Sequence, residues 1–151
     1  MSEPAPIDPD VDLHLSAARA ELRPNPLPVL AAISAGGALG ALARHGLSVA
    51  WPHPPGGFAW STFVVNVSGC LLIGVLMAAL TGRLVAWRLA RPFLGVGVLG
   101  GYTTFSTYVV DIGHAAADGT AGTALAYLAA TLVAALAAVW AGSALTRRVL
   151  R

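Results

Sequence analysis

The sequence contains no lysine and a single cysteine, and only 11% of its 151 residues are charged. A soluble domain carries about 25% charged residues, so this scarcity of charge argues against one. One cysteine excludes a disulfide within the chain, and Cys70 lies in an apolar run that is typical of an unreactive, buried thiol. The hydrophobic share of 56% and the mean hydropathy of +0.72 instead indicate an integral membrane protein.

Carboxylates are almost missing from the apolar part of the chain. Five of the seven acids lie within residues 1–26, and the other two are Asp111 and Asp118. No carboxylate therefore sits in the middle of an apolar run, where a proton-coupled transporter would need one. The four histidines show no metal-ligand spacing, and we predict that the protein is not an enzyme. The arginines are scattered at segment ends, which gives no sign of nucleic-acid binding.

Four runs are long and apolar enough to cross a bilayer, which takes about 20 helical residues each. They cover about residues 27–50, 58–80, 92–112 and 120–145, and short connections join them. The sequence thus predicts an all-α membrane protein whose four transmembrane helices occupy residues 27–151. The acidic, proline-rich residues 1–26 are predicted to form a disordered tail.

The placement of arginine predicts the orientation in the membrane. If all four runs cross, both termini and the second loop share one side, which carries eight of the nine arginines, whereas Arg44 lies toward the other. We therefore expect a multi-pass protein of the inner (plasma) membrane with both termini in the cytoplasm. Gly36 and Gly40 are four residues apart and permit close helix contact. We expect these glycines to form a helix contact between subunits, and the alternative is packing within one subunit.

The third apolar run is interrupted by a polar segment. Gly100 and Gly101 come just before a cluster of hydroxylated residues, Thr103, Thr104, Ser106 and Thr107. Glycines and hydroxyl groups in this density weaken a helix. At membrane depth a broken backbone persists only where it is buried in protein or lines a polar cavity. We therefore expect the third helix to be broken here, at an ion or solute site.

Two pairs of polar residues lie four positions apart on otherwise apolar helices. Thr62 and Asn66 share a face of the second helix, and Tyr127 and Thr131 share a face of the fourth. The Asn66 amide suits either a hydrogen bond to a passing anion or a structural bond to another helix, and its residue type leaves both open. Taken alone, Tyr127 is more typical of an anchor at the membrane interface.

Three motifs together resemble the Fluc (CrcB) fluoride channel family. They are GGALGALARH from Gly36 to His45, TFVVNVSG from Thr62 to Gly69 and GGYTTFSTY from Gly100 to Tyr108. The resemblance implies an antiparallel, dual-topology dimer that exports cytoplasmic fluoride passively and so lowers fluoride toxicity. The chain departs from the usual family pattern at four positions, namely His45, Tyr108, Asp111 and Ala135.

The resemblance also implies which residues form the sites. It assigns to the fluoride pathway Thr62, Asn66, Phe105, Ser106, Thr107, Tyr108, Tyr127 and Thr131. It further implies a structural Na⁺ at the dimer interface, held by the backbone carbonyls of Gly100 and Thr103.

The arginine bias bears on the partner that the resemblance implies. A strong bias fits poorly with one sequence that inserts both ways, so the partner is either a second copy or an oppositely oriented homologue. Two other functions stay open at this point, a small dual-topology multidrug exporter and a structural membrane subunit.

Overall fold

The computed structural model describes residues 26–80 and 89–150, and this part of the chain is helical, without a strand. The helices follow in chain order as α1 (Leu27–Ala50), α2 (Trp60–Leu80), α3 (Arg91–Leu99 continued by Gly100–Tyr102), α4 (Ser106–Ala117) and α5 (Ala121–Val149). The predicted disordered tail, apart from Pro26, lies outside the described residues, as does most of the second loop.

Four stretches are long and apolar enough to span a membrane, namely Leu27–Ala50, Trp60–Leu80, Arg91–Ala117 and Ala121–Val149. The predicted four-helix membrane fold is thereby confirmed. The last helix continues beyond the predicted end at residue 145 and includes Arg147 and Arg148 in its final turn. Cations are favourable at that position because the carbonyl end of a helix carries partial negative charge.

The third crossing is broken as predicted. Its first half, Arg91–Leu99, is wound as a π-helix, which the sequence analysis did not predict, and a single α-helical turn, Gly100–Tyr102, follows it. At Thr103 the backbone becomes extended, with φ −76° and ψ 157°, and helical structure resumes at Ser106. Irregular backbone at this depth must find hydrogen-bond partners inside the protein.

The crossings pack as two close pairs, α1 with α3 and α2 with α5. Gly36 and Gly40 are buried in the first pair. A Cβ atom on Gly36 would overlap the Phe93 carbonyl, and one on Gly40 would overlap the Val98 carbonyl. These glycines therefore serve packing within one chain, and the expectation that they mediate a subunit contact is wrong. Their closeness to α3 fixes the position of the broken segment.

Candidate functional site

The broken segment is held in place by the side chain of Asn66. Its Nδ2 donates a hydrogen bond to the Thr104 carbonyl at 2.8 Å, and the Thr104 N–H donates to Asn66 Oδ1 at 2.9 Å. The amide therefore bonds to both polar groups of one peptide residue. The sequence left open whether the Asn66 amide binds an anion or forms a structural hydrogen bond. These two hydrogen bonds are the structural kind, and they use one of the two N–H groups of the amide.

The break also releases particular backbone carbonyls. In a regular helix the Gly100 carbonyl would accept from the N–H of residue 104 and the Thr103 carbonyl from that of residue 107. The Thr104 N–H is instead donated to Asn66, and the Thr107 N–H is donated to the Thr104 hydroxyl at 3.2 Å. The carbonyls of Gly100 and Thr103 are thus left without their helical donors. Carbonyl oxygens freed in this way are able to coordinate a cation.

A positive side chain lies beside the same turn. Arg44 Nε donates a hydrogen bond to the Gly101 carbonyl at 3.2 Å. Arg44 therefore satisfies a third carbonyl near the break and brings its positive charge close to it. Among the described residues there is no group of three or more His, Cys, Asp or Glu side chains that could hold a metal ion. The break itself offers backbone carbonyl and hydroxyl oxygens instead.

A cavity of about 380 Å³ opens between α2, the break and α5. We call it the central cavity, and its mostly apolar lining includes Asn66, Gly100, Thr103, Thr104 and Thr131. Phe105, Tyr108 and Ala135 border it as well. Since a water molecule takes about 30 Å³ of liquid, the central cavity has room for several small solutes. It brings four of the predicted pathway residues together with both residues predicted to bind Na⁺.

Two buried hydroxyl groups near this cavity lack a hydrogen-bond partner among the described residues. They belong to Tyr127 and Thr131, whose side chains are 2% and 5% exposed. Buried polar groups are nearly always paired, and an unpaired one costs about 1–3 kcal/mol. Two such groups one helical turn apart indicate a place where a ligand or water supplies the missing bonds. The structure thus puts Tyr127 inside the protein, and the alternative of an interfacial anchor is wrong.

Aromatic rings meet edge to face beside these hydroxyls. The Tyr127 ring lies 4.9 Å from the Phe58 ring and 5.3 Å from the Tyr108 ring, in edge-type geometry. Phe105 is the next ring, 5.9 Å from Tyr108, and 77% of its surface is exposed on the single chain. Ring edges carry partial positive charge, so a row of rings in this arrangement presents edges that can face an anion.

Hydrogen bonds within the chain engage three predicted pathway residues that do not line the central cavity, and also Tyr108, which borders it. Thr62 donates to Asp111 Oδ2 at 3.0 Å and lies beside the Tyr127 hydroxyl. The hydroxyls of Ser106 and Thr107 lie 3.3 Å and 3.1 Å from that of Thr104. Tyr108 donates its hydroxyl to the Leu128 carbonyl at 2.7 Å, so its extra oxygen ties two helices together and does not add a donor to the cavity.

Two residues that the sequence analysis did not assign to a site have clear roles in this geometry. Thr104 links Asn66 to the start of α4, through its backbone and its hydroxyl. Asp111 accepts the hydrogen bond of Thr62. Asp111 follows Thr107 by four positions on one helix, which places the carboxylate on the same helix face as the Thr107 hydroxyl. This spacing could have identified Asp111 as a site residue from the sequence.

The fold and the site define a class of protein, a multi-pass membrane protein with a broken crossing and a mostly apolar cavity beside the break. The particular family follows from comparison with known proteins. The family model described as "CrcB-like protein, Camphor Resistance (CrcB)" matches residues 31–143. The chain belongs to this family, which confirms the resemblance carried by its three motifs.

Curated relatives are similar over most of their length. The protein named "Fluoride-specific ion channel FluC 1" of Streptomyces coelicolor is 56% identical over 82% of this chain and 80% of its own. "Fluoride-specific ion channel FluC 2" of Nocardia farcinica is 52% identical over 87% of this chain and 94% of its own. The FluC 2 protein of Thermobifida fusca is 55% identical over 82% of this chain and 91% of its own. These matches favour a channel over the multidrug exporter and the structural subunit.

Proposed function

We propose that this chain is a subunit of a fluoride-selective ion channel that lets cytoplasmic fluoride leave the cell passively. The observation that carries the proposal is the pair of buried hydroxyls of Tyr127 and Thr131, which have no hydrogen-bond partner within residues 26–80 and 89–150. The central cavity that Thr131 lines is also bordered by the amide of Asn66. Relatives at 50% identity or more bear the name of fluoride-specific ion channels. The chain works as a channel, not as an enzyme.

The proposed conduction step needs only hydrogen-bond donors and ring edges in a narrow space. A fluoride ion that leaves water loses strong hydrogen bonds, and the protein must replace them for the ion to cross. The hydroxyls of Tyr127 and Thr131 supply two donors, and the second N–H of Asn66 supplies another. The edges of the Phe105 and Tyr108 rings face the same path with partial positive charge. Larger halides hold water less tightly but need more room between the rings.

The proposed Na⁺ site is the pair of freed carbonyls at Gly100 and Thr103. Diversion of their helical donors to Asn66 and to the Thr104 hydroxyl supports this assignment. A bound cation would keep the broken backbone in its extended form. Hard cations surrounded by oxygen usually take about six or more ligands, so two carbonyls from one chain are too few. A second subunit would supply further oxygens.

A dimer is the second part of the proposal. Phe105 and Gly100 are exposed on the single chain although they adjoin the polar break. Free carbonyls cannot face lipid without a large cost, so a protein surface should cover this side of α3. We propose an antiparallel dimer, in which the second copy of the break would lie against the first and two pathways would result. The remaining apolar helix faces would contact membrane lipid.

The arginine bias leads us to propose a particular kind of dimer. With eight of nine arginines on the side of the termini, this chain should insert with both termini in the cytoplasm. The antiparallel partner is then an oppositely oriented homologue in preference to a second copy. Streptomyces avermitilis has two relatives of this chain, named FluC 2 and FluC 3. More than one relative in one organism is what such pairing requires.

Fluoride efflux from liposomes tests the proposal, with a fluoride electrode as the detector. The chain is reconstituted alone and together with a companion homologue from its own organism. We expect fluoride release from the co-reconstituted pair and little from the chain alone, with chloride retained in both cases. Robust fluoride release from the chain alone would overturn the heterodimer and leave the channel in place. Equal release of chloride would overturn fluoride selectivity.

A further inference from the structure

A second cavity lies at the end of the molecule formed by the α1–α2 loop and the end of α4. It measures about 300 Å³, and we call it the loop cavity. Its titratable residues are two histidines and two aspartates, His53, Asp111, His114 and Asp118. His53 comes from the loop and the other three from α4 and the turn that follows it. The sequence separates His53 from Asp111 by 58 positions, so only the fold brings them together.

Asp111 connects the loop cavity to the buried polar groups. Its Oδ1 lies 4.0 Å from His53 Nε2, while its Oδ2 accepts the hydrogen bond of Thr62. The side chain of Asp111 is 11% exposed and that of His53 is 31% exposed. The histidine is therefore open to water, whereas the carboxylate is largely shielded and its charge is screened less than that of an exposed group.

The groups around this carboxylate bear on the fluoride path. Thr62 lies beside the Tyr127 hydroxyl, which is buried and without a partner among the described residues. An anion bound by Tyr127 would therefore lie close to the negative charge of Asp111, which opposes it. The other ionisable side chains that line the loop cavity beside Asp111 are His53, His114 and Asp118.

We propose that His53 is a positioning residue whose protonation offsets the charge of Asp111 and so raises fluoride flux. The proposal rests on the proposed fluoride channel. Histidine changes charge between about pH 5 and pH 8. When His53 is protonated, it forms an ion pair with Asp111 and the loop cavity becomes less negative for an entering anion. When it is neutral, the carboxylate repels the anion. Flux should therefore rise as the pH falls through this range.

The test is fluoride efflux from liposomes at equal internal and external pH, at about pH 8 and about pH 5.5, using the assembly that conducts. Protein-free liposomes give the leak of neutral HF, which is subtracted. We expect the protein-dependent rate to rise about fivefold at the lower pH, which is the factor that about 1 kcal/mol of charge interaction gives. His53→Gln should have the same rate at both pH values, and His53→Arg, with its fixed charge, should be fast at both.

Two further histidine variants serve as controls. His45→Gln changes an exposed histidine on α1 and should keep the full pH response. His114→Gln tests the other histidine of the loop cavity. This variant should keep most of the pH response, because His53 makes the close approach to Asp111. A pH response that survives in His53→Gln, or a wild-type rate that is flat with pH, would overturn this inference while leaving the channel intact. No protein-dependent fluoride release at either pH would overturn the proposed function as well.

Discussion

Asn66 and Thr104 exchange two hydrogen bonds across the break, from Nδ2 to the Thr104 carbonyl at 2.8 Å and from the Thr104 N–H to Oδ1 at 2.9 Å. Both partners line the central cavity. The same pair of bonds also diverts the N–H that the Gly100 carbonyl would have used in a helix. One side chain thereby holds the break open and leaves the Gly100 carbonyl without its helical donor, at the proposed cation site.

Asn66→Asp should abolish fluoride flux. The carboxylate still accepts from the Thr104 N–H but cannot donate to the Thr104 carbonyl, and it places an acceptor against that carbonyl and against an incoming anion. An unsatisfied buried acceptor costs about 1–3 kcal/mol, so the melting temperature should fall as well. Asn66→Leu, which removes donor and acceptor together, should also stop flux. Unchanged flux per folded molecule in either variant would contradict the role assigned to Asn66.

Tyr127→Phe should lower flux without lowering stability. The tyrosine hydroxyl is buried beside Thr62 and Asp111 and has no hydrogen-bond partner among the described residues, so its removal should leave the free energy of unfolding unchanged or raise it by about 1 kcal/mol. Flux should drop about tenfold or more, since a hydrogen bond to a charged group contributes about 1.5–3 kcal/mol. Thr131→Val should behave in the same way.

Tyr102→Phe is the matched control for that test. The Tyr102 hydroxyl lies 2.9 Å from the Ser68 hydroxyl, so its loss breaks a hydrogen bond within the protein. We expect lower stability with flux nearly retained, the opposite of Tyr127→Phe. If both tyrosine variants lose stability equally and keep their flux, the unpartnered hydroxyls do not belong to the pathway.

Gly40→Ala should destabilise the protein, because a methyl group there would collide with the Val98 carbonyl at the contact of α1 and α3. Overpacking of this kind costs about 1–3 kcal/mol. Gly46→Ala lies on the same helix with no atom near the added methyl group, and it should be neutral or slightly stabilising. Thermal unfolding in detergent measures both. Equal melting temperatures for the two variants would contradict the close helix contact.

Replacement of Na⁺ should reveal the proposed cation site. In choline chloride of equal ionic strength, the melting temperature of the conducting assembly should fall below that in NaCl. A cation present at 100 times its dissociation constant stabilises the bound form by about 2.7 kcal/mol. The melting temperature should also rise with the logarithm of Na⁺ concentration. Identical melting curves in Na⁺ and choline would argue against a bound cation at Gly100 and Thr103.

The sequence was a good guide to the crossings, since long apolar runs bounded by prolines, glycines and arginines specify membrane helices directly. It also located the break, because glycines and hydroxyl groups weaken a helix wherever the chain later packs. The sequence did not predict which groups individual side chains contact. The bond from Tyr108 to the Leu128 carbonyl and the approach of His53 to Asp111 depend on which helix faces meet, and no local pattern encodes that.

The use of Gly36 and Gly40 shows the same limit. Their spacing predicts a close helix contact, and the structure has one. The spacing does not say whether the facing helix belongs to the same chain. Here the contacting helix is α3 of the same chain, whose own glycines make the approach possible from the other side. The glycine spacing thus marks a helix face that permits close packing, and the fold determines which helix packs against it.

Fluoride efflux from liposomes tests the central claim most directly, with the chain and its companion homologue reconstituted together and chloride efflux followed in parallel. The account predicts rapid release of fluoride, retention of chloride and loss of fluoride release in Asn66→Asp. Liposomes that retain fluoride, both with the chain alone and with the companion present, would contradict it.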